Sequence, residues 1–83
     1  MKVQLRYFAS IREALGTGNE PLDTRAGTLA ELRAELVARG GAYADALAPG
    51  RSVRVALNQT MSEESAPLTE GAEVGFFPPV TGG

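Results

Sequence analysis

Cysteine, histidine and tryptophan are missing from all 83 residues, and lysine occurs once, at Lys2. Without cysteine the chain has no disulfide, no thiol nucleophile and no thiolate metal ligand. Without histidine the usual general base, the usual proton shuttle and the commonest metal ligand are gone as well. No apolar run reaches the length of a membrane span, and the N-terminus lacks the charged-then-apolar pattern of a secretory signal. The expectation is a cytoplasmic protein with no membrane partner. The net charge is −2, with seven arginines scattered among ten acids, so there is no electrostatic footprint for nucleic acid. Gly16-Thr17-Gly18 and Gly40-Gly41 lack the spacing and strand context of a phosphate-binding loop. This composition does not make a self-sufficient enzyme.

What is present fits one small soluble domain. The hydrophobic share is 43 % and the charged share 22 %, ordinary values for a globular chain. A chain of this length buries roughly 60–65 % of its unfolded surface. There is no repeat or low-complexity linker.

Alternation opens the chain. From Lys2 to Phe8, Val3, Leu5 and Tyr7 share one face and are assigned to the core, while Gln4, Arg6 and Phe8 share the other. Ser10 and Glu13 have capping-box spacing, which predicts a short helix to Leu15 ended by Gly16. Thr17-Gly18-Asn19 reads as a turn, and Glu20 to Thr24 as a second strand with Leu22 inward and Pro21 marking an edge. Thr28 and Glu31 repeat the capping box. Leu29, Leu32, Leu36 and Val37 then fall on one helical face, with Arg33, Glu35 and Arg39 on the solvent side and Gly40 as C-cap. That leucine stripe is read as core, because one long helix must cover the sheet.

A weaker helical turn spans Ala42 to Leu47. Ser52 to Asn58 alternates again, with Val53, Val55 and Leu57 inward and Arg54 and Ala56 outward. Asn58-Gln59-Thr60 is a turn followed by Met61, and Ser62 to Pro67 is a polar connection. Its Glu63 and Glu64 are read as solvated, since adjacent loop carboxylates diverge. Pro67 to Gly71 turns the chain into a last strand, Ala72 to Phe77. The order is that of an α+β fold, a mixed sheet packed on one main helix in the ubiquitin-like β-grasp arrangement, with the last strand central. Residues 1–77 form the domain and 78–83 a flexible tail.

That tail carries the functional signal. Pro78 and Pro79 cannot donate backbone hydrogen bonds, so sheet pairing stops there while the chain stays extended. Val80 and Thr81 favour extended geometry, and Gly82 and Gly83 present the carboxylate without side chains. Fully extended, Pro78 to Gly83 reaches about 20 Å. A terminal carboxylate with an ordinary pKa near 3.5 is ionised and a poor electrophile. Another enzyme has to activate it, for instance as an acyl-adenylate.

Lys2-Val3 through Phe8-Ala9, Ile11-Arg12-Glu13, Leu15-Gly16, Asn58-Gln59-Thr60, Pro67-Leu68-Thr69 with Gly71, and Val74 through Phe76-Phe77-Pro78-Pro79-Val80-Thr81-Gly82-Gly83 together resemble the small subunit of molybdopterin synthase. The resemblance implies a sulfur carrier that is not catalytic alone. A separate activating enzyme, using ATP, adenylates Gly83, and a sulfurtransferase donor converts it to a thiocarboxylate. The chain itself then holds no cofactor. The tail inserts into the large subunit, where sulfur passes to a cyclic pyranopterin monophosphate, and two small subunits flank a large-subunit dimer.

By the same resemblance Gly83 carries the sulfur, Gly82 supplies unhindered approach, and Pro78, Pro79, Val80 and Thr81 form the inserted arm. Phe8, Arg12, Met61 and Phe77 form the docking face; two phenylalanines off the core face are of the kind that mark an interface. A thiamin-type sulfur carrier, a ubiquitin-like modifier and a plain binding module with a docking tail stay as alternatives.

Overall fold

A computed structural model describes residues 1–79. The expectations placed on Val80, Thr81, Gly82 and Gly83 lie outside the described residues. The chain runs β1 (Lys2–Tyr7), α1 (Ala9–Leu15), β2 (Asn19–Asp23), α2 (Leu29–Val37), α3 (Gly41–Leu47), β3 (Arg54–Leu57), β4 (Thr60–Ser62) and β5 (Glu73–Phe77). The five strands make one mixed sheet in the order β2-β1-β5-β3-β4. Only β1 and β5 run parallel; every other pair is antiparallel. The last strand is central, as predicted, so the tail leaves from the middle of the sheet edge. This is the ubiquitin-like β-grasp arrangement.

Strand alternation sets the core. Val3, Leu5 and Tyr7 on β1 and Val74 and Phe76 on β5 are buried together with Leu29, Leu32 and Leu36 of α2 and Leu47 of α3. Thr28 caps α2 as predicted, its hydroxyl oxygen accepting the Glu31 amide. The Glu31 carboxylate reaches the Gly27 amide rather than that of Thr28, at 2.6 Å. Pro21 sits on the edge strand β2, where the missing donor costs no ladder bond.

Several expectations are corrected. Helix α1 starts at Ala9, with extended Phe8 as N-cap and no side-chain cap. The reason lies in the sheet: the Phe8 amide still donates to Phe76 O at 3.2 Å, while its carbonyl accepts from the Ile11 amide at 3.1 Å. The strand hands directly to the helix, and Ala9 takes up the turn at φ 51°, costing about 1–2 kcal/mol for a non-glycine residue.

Gly40 is the N-cap of α3 rather than the C-cap of α2, which stops at Val37 with Ala38 as cap. Met61 lies in a fifth strand, the three-residue β4, which is too short to show a period.

Arg33, expected on the solvent side, is only 7 % exposed. Its guanidinium donates to Leu47 O, Ala48 O and Arg51 O at 2.7–2.8 Å and to the Glu64 carboxylate at 2.6 Å. Glu64 is therefore an ion-pair partner, not a plain solvated carboxylate. The other corrected position is Ala56: it points outward as predicted, yet it is buried.

Candidate docking face and the root of the tail

The parallel pairing of β1 with β5 places Tyr7 opposite Phe76. The next residue on each strand is Phe8 and Phe77, on the opposite face. Two consecutive aromatics on each of two neighbouring strands thus form one pair inside the sheet and one outside. Inside, Tyr7 and Phe76 stack with centroids 6.0 Å apart. Outside, Phe8 and Phe77 lie parallel at 4.3 Å and 4°. The inner pair is locked by the core, so the outer pair is held on a rigid base.

Gly75 forms the floor beneath the outer rings. A Cβ there would stand 3.1 Å from the Phe77 ring and 3.2 Å from the Phe8 ring. Ala56, paired with Gly75 across the β3–β5 ladder, is buried on the same outer surface. Met61 follows, paired with Ala56 and 54 % exposed. Small residues in the middle row therefore let the aromatic rings lie flat while Met61 stands clear. The result is a shallow groove of about 470 Å³ among Phe8, Met61, Phe77 and the two prolines.

Pro78 and Pro79 border a second groove of about 290 Å³ on the other side, against Ile11, Ala14 and Asp45. The proline arm is thus a ridge between two hollows. Of the sequence-predicted contact residues, Phe8, Met61, Phe77, Pro78 and Pro79 come together. Arg12 does not line that groove; its side chain runs along Gly18, at the neighbouring corner of the sheet.

Sequence reading missed Gly75 and Ala56 as the floor, and Arg54 as a lining residue. The signal was available: all three share the parity of Phe77 once β3 and β5 are aligned.

Behind the aromatic rows sits a polar clamp. The Tyr7 hydroxyl donates to Glu20 Oε1 at 2.6 Å, Tyr43 donates to the same oxygen at 3.0 Å, and Arg39 donates at 2.9 Å. The Arg39 guanidinium also lies 4.8 Å from the Tyr43 ring centre. Burial works to raise the Glu20 carboxyl, but the two tyrosine hydroxyls and Arg39 outweigh it and hold the group below the usual carboxylate range. Burial, reinforced by hydrogen bonding to Glu20, pushes the Tyr7 hydroxyl far above the ordinary tyrosine value. Burial followed by Glu20 raises Tyr43 in the same direction. All three partners stay in their bonding forms at neutral pH. The clamp ties α3 and edge strand β2 to the end of β1, immediately before Phe8.

Among the described residues no cluster of acidic side chains could hold a metal ion, and no helix is long and apolar enough to cross a membrane. The matching family model, that of the ThiS family, spans residues 5–83. The chain belongs to the ThiS family.

Relatives narrow the branch. This ThiS-family chain is 40 % identical over 81 residues to the molybdopterin synthase sulfur carrier subunit of Escherichia coli, covering 98 % of this chain and 99 % of the relative. It is 30 % identical to a chain in the complex of subunits 1 and 2 of molybdopterin-converting factor from Helicobacter pylori, with a TM-score of 0.69 and full coverage of both chains. The small archaeal modifier protein 1 of Haloferax volcanii has the same fold at 22 % identity, with a TM-score of 0.75 over 95 % of this chain and 98 % of that one. The resemblance read from the Phe-Pro-Pro-Val-Thr-Gly-Gly ending is borne out.

Proposed function

We propose that this chain is the sulfur-carrying subunit of a molybdopterin synthase and that its aromatic face docks the large subunit. The observation that carries the reading is the outer Phe8–Phe77 stack, fixed at the root of the proline arm and continuous with Met61. An apolar plate at the root of the terminus lets one partner hold the body while the terminus enters its active site. The relationship to molybdopterin synthase sulfur carrier subunits supports that partner.

The chemistry belongs at Gly83. An activating enzyme joins the terminal carboxylate to AMP from ATP, releasing pyrophosphate, and sulfur from a sulfurtransferase donor displaces AMP to leave a thiocarboxylate. The tail delivers that sulfur to the pterin in the large subunit. Gly82 and Gly83 leave the carbonyl open to attack. Val80 and Thr81 extend the arm beyond Pro78 and Pro79.

The test is pterin conversion by the reconstituted synthase, together with binding of the large subunit. Deleting Gly83 is expected to abolish conversion while binding persists. Phe77→Ala or Phe8→Ala is expected to weaken binding by tenfold or more, about 1.4 kcal/mol and above, with the fold retained. Full conversion after deletion of Gly83 would reduce the tail to a docking peptide. Unchanged affinity in both phenylalanine variants would move the docking face elsewhere.

A further inference from the structure

Charge on the outer sheet surface is sorted along the strand direction. The outward positions of β1 are Lys2, Gln4 and Arg6, followed by Phe8; those of β5 are Glu73, Gly75 and Phe77; those of β3 are Arg54 and Ala56. Within the strands the outward acids are Asp23 and Glu73, both at the end where β1 and β5 begin, paired in register with Lys2 and Gln4. Asp23 there already engages the N-terminal ammonium at 3.2 Å. At the other end, where the tail departs, the outward charges within the strands are Arg6 and Arg54; the exposed Glu63, one residue past β4, lines a neighbouring hollow with Arg54 without forming a salt bridge to it, which leaves this end net basic. This basic end belongs to a chain whose net charge is −2.

The two arginines flank the aromatic stack. Arg6 is the register partner of Gly75, and its guanidinium lies 5.7 Å from the Phe8 ring centre. Arg54 is the register partner of Phe77 and lines the groove with Met61. They sit on either side of β5, two strand spacings across and one outward step along, so their Cα atoms are about 12 Å apart. Both are exposed, and among the described residues neither makes a salt bridge.

We infer that Arg6 and Arg54 form a pair of charged flanks on the docking plate, and that the partner surface is an apolar pocket bracketed by carboxylates. The inference rests on the docking face proposed above and adds what the partner must carry around it. Paired with aromatic rings at their centre, such flanks fix rotational register and steer encounter. Rim charges of this kind act chiefly on the association rate and its salt dependence, less on the settled affinity. Arginine suits the position because its planar guanidinium both covers an aromatic ring and donates bidentately to a carboxylate.

The test is association of the large subunit with the full-length chain, without pterin, followed in rapid-mixing experiments at about 0.01 M and about 1 M salt, where screening lengths are roughly 30 Å and 3 Å. The variants are the double charge reversal Arg6→Glu/Arg54→Glu, the charge-keeping Arg6→Lys/Arg54→Lys, and Phe77→Ala. The reversal is expected to slow association about tenfold or more at low salt, with the difference closing at high salt, while the lysine variant stays within a few-fold of the parent. Thermal unfolding of each variant verifies that the fold is intact.

Association of the reversal variant at the parental rate and salt slope, with the affinity of Phe77→Ala still weakened, would overturn the charged flanks and leave the docking face standing. Faster association of the reversal variant would also overturn the inference, by showing that the partner's rim is basic. Parental association rates and parental affinity in all three variants, Phe77→Ala included, would remove the docking face and the inference with it.

Discussion

Replacing Arg33 by alanine removes, among the described residues, the one α2 side chain that hydrogen-bonds both to the segment entering β3 and to the segment before β5. The guanidinium is almost wholly buried and donates four hydrogen bonds, three of them to the carbonyls of Leu47, Ala48 and Arg51. A net hydrogen bond contributes about 1 kcal/mol, and a carbonyl left dry and unpaired costs somewhat more. The carbonyls therefore account for about 3 kcal/mol. The fourth partner, Glu64, is 41 % exposed, so its carboxylate regains water on truncation. Its share is discounted to the value of a surface pair, at most about 1 kcal/mol.

The expected loss of about 3–4 kcal/mol is a large part of the 5–15 kcal/mol typical of a small domain. It corresponds to a fall in Tm of about 12–30 °C at this chain length. Urea unfolding followed by far-UV circular dichroism measures it, with an unchanged slope marking an unaltered transition. Arg33→Lys keeps a charge but cannot span the carbonyls as a fork does, so it is expected to recover less than half of the loss. A loss below about 0.5 kcal/mol, the range of ordinary surface changes, would show that the bonds to these carbonyls are replaced by water at no cost, and the reasoning would fail.

Two further perturbations address the clamp and the plate. Glu20 is held below its ordinary value of 4.5 in the folded state, so its contribution is complete above about pH 4.5 and is lost as pH falls through the lower folded value. Glu20→Gln is expected to destabilise by about 1–2 kcal/mol at pH 7 and to converge on the parent in acid; an offset that stays constant with pH would contradict the clamp. Gly75→Val is expected to leave the fold intact, because valine suits a strand, while pushing apart the two rings that a Cβ would approach at 3.1 and 3.2 Å. Large-subunit binding should weaken about tenfold, and unchanged affinity would mean that the stacked geometry does not matter for docking.

The fold was legible wherever one period ran long enough to be counted. The alternation of Val3, Leu5 and Tyr7 and the helical spacing of Leu29, Leu32 and Leu36 placed the sheet and its main helix correctly, because burial alone decides those positions. Strand β4 was hidden by its length, and α1 was mis-started because Ser10 and Glu13 imitate a cap that the sheet hydrogen bond at Phe8 makes unnecessary.

Arg33 exposes a different limit. Helical phase put it on the solvent side of α2, and the carbonyls that draw it inward come from the end of α3 and the loop after it, 14 to 18 residues further on. No local pattern encodes that closure. The docking face was half legible: parity separated Phe8 and Phe77 from the core, but their stacking depends on the parallel β1–β5 register, and the roles of Gly75, Ala56, Arg6 and Arg54 follow only from it.

The central claim is that the terminal carboxylate of Gly83 is the group that carries sulfur. Its most direct test is the intact mass of the chain isolated from cells containing its own activating enzyme and sulfur donor, with the C-terminal peptide then sequenced by fragmentation. The account predicts a mass gain equal to one oxygen replaced by sulfur, confined to Gly83, and its disappearance after incubation with the large subunit and the pterin substrate. An unmodified Gly83 carboxylate under conditions of competent activation would contradict the carrier role, and a Gly83 found in amide linkage to a lysine of another protein would replace it with conjugation.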